Sequence, residues 1–336
     1  MPPVGIDEIR QARERIQGIV RRTPLVPAAI LPVPDGNELW LKAENLQRTA
    51  SFKIRGAYNA VAGLDEAAKA SGVITYSSGN HGQAVACAAH LLGVPAVVVM
   101  PEDAMAVKVE ATRRWGANVV FAGTTSLDRQ ERALQLVEEC YYTVIPPFDD
   151  RRIIAGQGTA GLEILEQLPE VEAVLVPVGG GGLVSGIASA VKAVRPDVKV
   201  IGVEPEGAAD AQESLRQQRL VTWEHVETVA DGLRTSRIGE LNFATMRELL
   251  DAIVTVTEDE ILRSVGLLAL NEKLVAEPSG AVTTAAILFG GSGLRNSRVV
   301  AVISGGNVEP SRLMDCLHLV ADPVAANSPA AGAPLT

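Results

Sequence analysis

The sequence has little cysteine, few aromatics, no excess of positive charge and no long apolar run. Three cysteines, Cys87, Cys140 and Cys316, are scattered over 336 residues. Their odd number and wide spacing give neither a disulfide framework nor a metal-ligand motif, and suit a reducing, cytoplasmic compartment. Lysine and arginine total 30 against 40 aspartates and glutamates, a net charge of −10. That balance argues against a general binder of nucleic acid or anionic membranes. No stretch approaches the roughly 18 apolar residues of a membrane span. The opening MPPVGIDEIRQARERI carries acids where a signal peptide needs an apolar core. Aromatics are only 4 %, yet 47 % of the residues are hydrophobic. The apolar content is thus mostly aliphatic, enough in a chain of this length for a large core split over two lobes.

What is present is an alternation. VITYS (73–77) leads through a Gly-Asn-His turn into a small-residue helix, QAVACAAHLLG (83–93). AVVVM (96–100), a helix up to Trp115, NVVFA (118–122), a charged helix from Leu127 to about Cys140, and YTVI (142–145) follow. The grammar restarts after Pro169 with AVLVPV (173–178), a glycine loop, a helix to about Val194, and KVIGVE (199–204). Strands alternating with such helices predict an α/β fold with parallel, helix-covered sheets. Turn-rich PPFDDRR (146–152) marks a lobe boundary. The tail, residues 321–336, is mostly Ala, Pro and small polar residues and reads as disordered.

Four stretches carry candidate chemistry. In TASFKIRGAYNA (49–60), Ser51 reads as a helix N-cap with Lys53 in the first turn. There the positive end of the helix dipole disfavours a cation by roughly 0.3–1 kcal/mol. In VPVGGGGLVSGIA (176–188), Gly179, Gly180, Gly181 and Gly182 stand between a strand and a helix, where backbone N–H groups can crowd around an anion. A merely flexible turn is the plain alternative. A dinucleotide-binding loop, with Glu204 as ribose partner, fails on spacing, since it needs glycine at Val184 or Ser185. YSSGNHGQA (76–84) offers Ser77, Ser78, Asn80 and His81 at a second strand-to-helix turn, as a carboxylate site or a simple cap. ISGGN (303–307) puts Ser304 at the carboxyl end of the strand VVAVI, where ligands of open α/β sheets gather.

Together these pieces resemble the fold-type II enzymes that use pyridoxal 5′-phosphate, the tryptophan synthase β-like fold, in their serine/threonine dehydratase and serine racemase branch. The resemblance runs from RTPL (22–25) to Asn307. It rests on ENLQRTASFKIRGA (44–57), SSGNHGQA (77–84), AGQGT (155–159), GGGGL (179–183), EPSGA (277–281) and SGGN (304–307). It implies a discontinuous larger cofactor-binding domain, 1–65 with 150–320, and a smaller α/β domain, 66–149. Lys53 would be joined to the cofactor aldehyde, and its apolar neighbours and the helix start would favour the neutral, nucleophilic amine. Gly179 to Gly182 would hold the phosphate, Phe52 would pack beside the ring, and Asn80 would bond the ring's phenolic oxygen. Ser304 would face the pyridine nitrogen, which a hydroxyl does not keep protonated as a carboxylate would. That favours β-elimination over chemistry needing a long-lived carbanion.

The resemblance also sets the finer expectations. The substrates would be L-threonine or L-serine, converted to a 2-oxo acid and ammonia after Lys53 removes the α-proton. SFKIR in place of SVKDR lowers a β-replacement reading. Ser77, Ser78 and His81 would contact substrate. Ser78 stands where threonine dehydratases have alanine and racemases have serine, so it would serve as the second acid if D-serine is formed. Arg129 would pair with a β-carboxylate and favour 3-hydroxyaspartate, unless it is simply solvated on its charged helix. ADGLRTSRIG (230–239) is one residue longer than the racemase form, which leaves Ser236 unassigned as a substrate contact. GVEPEGAAD (202–210) resembles a divalent-cation loop with Glu204, Asp210 and the Ala208 carbonyl as ligands. Such oxygen donors suit Mg²⁺, with Ca²⁺ or Mn²⁺ as alternatives. A symmetric homodimer is the expected assembly.

Overall fold

Ten strands form two sheets in the computed structural model, which describes residues 2–77, 79–104, 106–124 and 126–321. The strands are β1 (Leu25–Pro27), β2 (Glu38–Ala43), β3 (Val73–Tyr76), β4 (Ala96–Met100), β5 (Asn118–Phe121) and β6 (Thr143–Val144). They continue with β7 (Ala173–Pro177), β8 (Lys199–Pro205), β9 (Ala252–Val256) and β10 (Arg298–Ile303). One sheet has the order β5-β4-β3-β6 and is parallel throughout. The other has the order β1-β2-β10-β7-β8-β9 and is parallel except for β1, which runs antiparallel to β2. This is the expected α/β class with two parallel-sheet lobes, corrected by one antiparallel edge. Val and Ile dominate β4, β7 and β10, whose residues are buried almost without interruption, as helix cover on both faces requires.

Three strands escape the sequence reading for physical reasons. β1 is three residues long and ends in Pro27, tolerable only on an edge. β2, ELWLKA, carries Lys42 at a fully buried position, which masks its alternation. β9, AIVTV, is a half-exposed edge.

The helix Arg151–Gln167 lies at the centre of the molecule, against both Lys53–Ala62 and Gly182–Val194. Glycines let the backbones touch. A Cβ on Gly156 would stand 2.6 Å from Gly56 Cα, and one on Gly186 would stand 2.5 Å from Gly158 N. These crossings bring the starts of the Lys53 helix and the Gly182 helix toward the carboxyl ends of the strands. Among the described residues no helix is long and apolar enough to cross a membrane.

Candidate active site

A cavity of about 560 Å³ opens where β3, β7 and β10 end, lined among others by Lys53, Asn80, Gly180, Glu277 and Ser304. Lys53 is the first residue of its helix. Ser51 is not the cap. Phe52 occupies that position with helical backbone and no side-chain cap bond, while Ser51 is buried in a bridge to Gly305. The Phe52 N–H donates to the Ser304 carbonyl at 3.0 Å, so the end of β10 holds the helix start. The Lys53 amine donates to the Pro147 carbonyl at 2.9 Å and lies 5.2 Å from the centre of the Phe52 ring. Burial pushes its pKa down to about 8, against the opposing charge of Glu277.

Opposite stands the glycine cradle. Gly181, at φ +92°, turns the chain into the helix Gly182–Val194, whose N-terminal N–H groups point at the cavity end. A Cβ on Gly180 would fall 2.1 Å from the Phe148 ring. A left-handed turn, a close ring and a helix start fit a phosphate. A half-buried amine beside an aromatic ring fits an aldehyde-bearing pyridine.

Asn80 begins the helix Asn80–Leu92, donates to the Glu277 carboxyl at 2.6 Å and accepts from Asn307 Nδ2 at 2.7 Å. Burial, and then the charge of Asp231, push the Glu277 carboxyl up to about 7. Ser304 Oγ donates to the Ser279 carbonyl at 3.3 Å. Ser77 lines the cavity, and its Oγ accepts from the Gly79 N–H at 3.3 Å. Ser78 lies outside the described residues. Arg129 lines the cavity wall, its charge disfavoured by burial and by Arg234 and favoured by Asp103 and Asp128.

His81 lines the cavity and is also tied to the protein. It is buried, with Nε2 3.0 Å from the Ile145 carbonyl. Burial and the neighbouring Lys53 push its pKa down to about 3, so the ring is neutral near pH 7. A carbonyl only accepts, so Nε2 carries the proton and Nδ1, buried without a partner, keeps its lone pair.

Of the expected cation ligands, Glu204 and Asp210 lie near enough for the charge of one to act on the other. Glu204 ends its strand fully buried and accepts from the N–H groups of Ala211 (3.0 Å) and Gln212 (2.8 Å). Both carboxyl oxygens of buried Asp210 lack hydrogen-bond partners, and Ala208 closes the short turn Glu206–Ala208 beside them. Burial pushes Asp210 up to about 7 and holds Glu204 well above the usual carboxylate range, with Asp210 adding repulsion. Two crowded, unneutralised carboxylates are chemically suited to a cation. No cluster of three or more His, Cys, Asp or Glu side chains occurs among the described residues.

Sequence reasoning missed what lies behind Lys53. Arg55 is fully buried and holds Glu44 through Nε (2.8 Å) and Nη2 (2.7 Å), and Glu163 through Nη1 (2.7 Å). Lys42 joins Glu163 at 2.6 Å. The signal was present in ENLQ and FKIR as charges inside apolar stretches, but their partner Glu163 sits on a remote helix. Glu277 and Gln157, from the EPSGA and AGQGT motifs, also line the cavity.

Comparison with known proteins agrees with this geometry. Residues 16–305 match the family profile described as "Pyridoxal-phosphate dependent enzyme". The chain is 43 % identical over 306 residues to an L-threonine ammonia-lyase of Thermotoga maritima, covering 91 % of this chain and 76 % of the relative. It is 41 % identical to an L-threo-3-hydroxyaspartate ammonia-lyase of Saccharomyces cerevisiae, covering 91 % and 94 %. The solved structure of maize serine racemase superposes with a TM-score of 0.90 at 36 % identity, covering 94 % of this chain and 98 % of that one. The chain belongs to the family of pyridoxal-phosphate dependent enzymes.

Proposed function

We propose that the protein is an ammonia-lyase that eliminates the β-hydroxyl of L-threonine or L-serine, giving a 2-oxo acid and ammonia. One observation carries the reading: an amine with pKa about 8, at a helix start, facing a glycine cradle across a polar cavity. When bound, pyridoxal phosphate supplies the electron sink that makes the α-proton acidic. Lys53 holds the cofactor, then accepts the α-proton with its freed amine. The backbone N–H groups around Gly179 to Gly182 bind the phosphate, and Phe52 packs on the ring. Asn80 would bond the ring's phenolic oxygen and Ser304 would face its nitrogen. Ser77 and the start of the Asn80 helix receive the substrate carboxylate, with Ser78 next to them in the chain. His81, neutral and tied to Ile145, shapes that turn without carrying charge. Glu204, Asp210 and the Ala208 carbonyl hold a divalent cation, Mg²⁺ first, whose role is structural. Residues 1–65 with 150–320 form the larger domain and 66–149 the smaller. The working protein is a cytoplasmic homodimer.

A second reading, elimination from 3-hydroxyaspartate, is favoured by Arg129 on the cavity wall, where a guanidinium can pair with a β-carboxylate. Likeness to a serine racemase keeps D-serine formation, with Ser78 as acid, as a side activity. The test is 2-oxo acid and D-amino acid production from L-serine, L-threonine and L-threo-3-hydroxyaspartate, with and without Mg²⁺. Oxo acid from L-threonine or L-serine without D-product supports the main reading; turnover of hydroxyaspartate alone, or mostly D-serine, replaces it.

A further inference from the structure

We infer that Gln157 is a positioning residue that fixes the first turn of the helix carrying Lys53. The inference rests on the reading of Lys53 as the reactive amine. The first N–H groups of a helix have no partners within it and must find acceptors elsewhere. Here no side chain caps the helix. Phe52 N–H goes to Ser304 O, and Arg55 N–H turns back to Phe52 O at 3.0 Å. Gly56 N–H donates to Gln157 Oε1 at 3.1 Å, a partner 101 residues away in the middle of the helix Arg151–Gln167.

Gln157 is an expensive way to make that bond. It is 1 % exposed, and its Nε2 is buried with no partner. A buried donor without an acceptor is destabilising, which an apolar side chain of equal volume would avoid. Gln157 also lines the cavity, but the one hydrogen bond its side chain makes among the described residues is the carbonyl contact to Gly56, which methionine cannot make. It also acts where the two helices meet backbone to backbone, since a Cβ on Gly56 would lie 2.5 Å from Gln157 Nε2 and 2.8 Å from the Ile153 carbonyl. A single directed bond at such a crossing sets how far one helix slides along the other. The Lys53 amine is referred to the same segment, through the Pro147 carbonyl shortly before Arg151. The helix is thus held at the Gly56 N–H and at the Lys53 amine by one stretch of chain. A neighbouring bond, Arg55 Nη1 to Thr159 Oγ1 at 3.1 Å, joins the same helices without touching a first-turn N–H.

The experiment compares Gln157→Met, Gln157→Glu and Thr159→Val in the holoenzyme, reading amide exchange over residues 53–56 together with kcat and KM. Gln157→Glu, protonated in its buried site, keeps an acceptor at the same reach. Gln157→Met is expected to speed exchange at Gly56 and lower kcat by about 10- to 100-fold, the scale of a displaced catalytic group, with KM little changed. Gln157→Glu restores both, and Thr159→Val lowers thermal stability while moving neither. Gln157→Asn, one methylene too short, repeats the loss should the methionine variant fail to fold. Wild-type exchange and kcat in Gln157→Met, no rescue by glutamate, or equal effects from Thr159→Val would overturn the inference. Lys53→Ala separates the underlying reading. If it keeps turnover and the borohydride-sensitive visible band, the role of Lys53 fails, whereas exchange at Gly56 still reports on Gln157.

Discussion

Replacing Arg55 by methionine tests whether the charges behind Lys53 are a single balanced unit. Two cations, Lys42 and Arg55, face two anions, Glu44 and Glu163, and three of the four are almost wholly sequestered from water. Thr23 Oγ1 also donates to Glu44, at 2.5 Å. With Arg55 gone, Glu44 and Glu163 share only Lys42, and one negative charge is left buried. Removing one partner from such a cluster costs about 3–5 kcal/mol. A chain of this size unfolds with an entropy near 0.7 kcal/mol per degree, so the melting temperature should fall by roughly 4–7 °C. The assay is thermal unfolding of protein freed of cofactor, because a bound ligand adds its own stabilisation. Arg55 and Thr23 hold the Glu44 carboxyl low in the native state, so this pair contributes stability above the ordinary carboxylate range and loses it as pH falls. In Arg55→Met the uncompensated carboxylate takes up a proton more readily, and the deficit should therefore shrink between pH 8 and pH 5. Adding Glu44→Gln to Arg55→Met leaves a neutral Lys42–Glu163 pair and should recover part of the loss. A drop under about 1 °C, or a double variant less stable than the single one, would refute the idea of a balanced unit.

Three further outcomes are expected. Gly180→Ala places a methyl group against the Phe148 ring; overpacking of about 1–3 kcal/mol should weaken pyridoxal phosphate binding roughly 5- to 150-fold, measured by titration of the cofactor-free protein. The rate at which that protein captures the cofactor should rise with pH to a midpoint near 8, because Lys53 reacts as the neutral amine. Glu277→Gln should move the midpoint lower, since the Glu277 charge opposes the depression, and a midpoint near 10 would contradict the environment of Lys53. A saturating divalent cation at about 100 times its Kd should stabilise the protein by about 2.7 kcal/mol, seen as a fall in melting temperature on chelation, and Asp210→Asn should abolish that response.

Much of the fold was legible because its strands are dense in Val and Ile and separated by helices of regular period. β4 was read to the residue, and β3, β5, β7, β8 and β10 to within a residue or two. What failed was information carried by distant contacts. Ser51 looks like a cap in a local window, yet the bridge to Gly305 and the bond from Phe52 to Ser304 decide where the helix begins. Lys42 and Arg55 look like surface charges until Glu163, more than 100 residues on, neutralises them. His81 lines the cavity as its polar turn suggests, while the bond of its Nε2 to the Ile145 carbonyl could not be seen in a local window. The placement of Lys53 and the glycine turn at helix starts was legible because it is local: a strand, a turn and a helix start suffice.

The glycine crossings of the helix Arg151–Gln167 make that helix a calliper. One jaw touches the Lys53 helix at Gly56 and Gly156, the other touches the Gly182 helix at Gly158 and Gly186. The distance between the amine and the glycine cradle is therefore gauged by close backbone contacts, with the Gln157 side chain seated against Gly56. A methyl group added at Gly158, 2.8 Å from the Gly186 carbonyl, would act as a shim under one jaw. Its first effect would be a cofactor that fits at one end and falls short at the other.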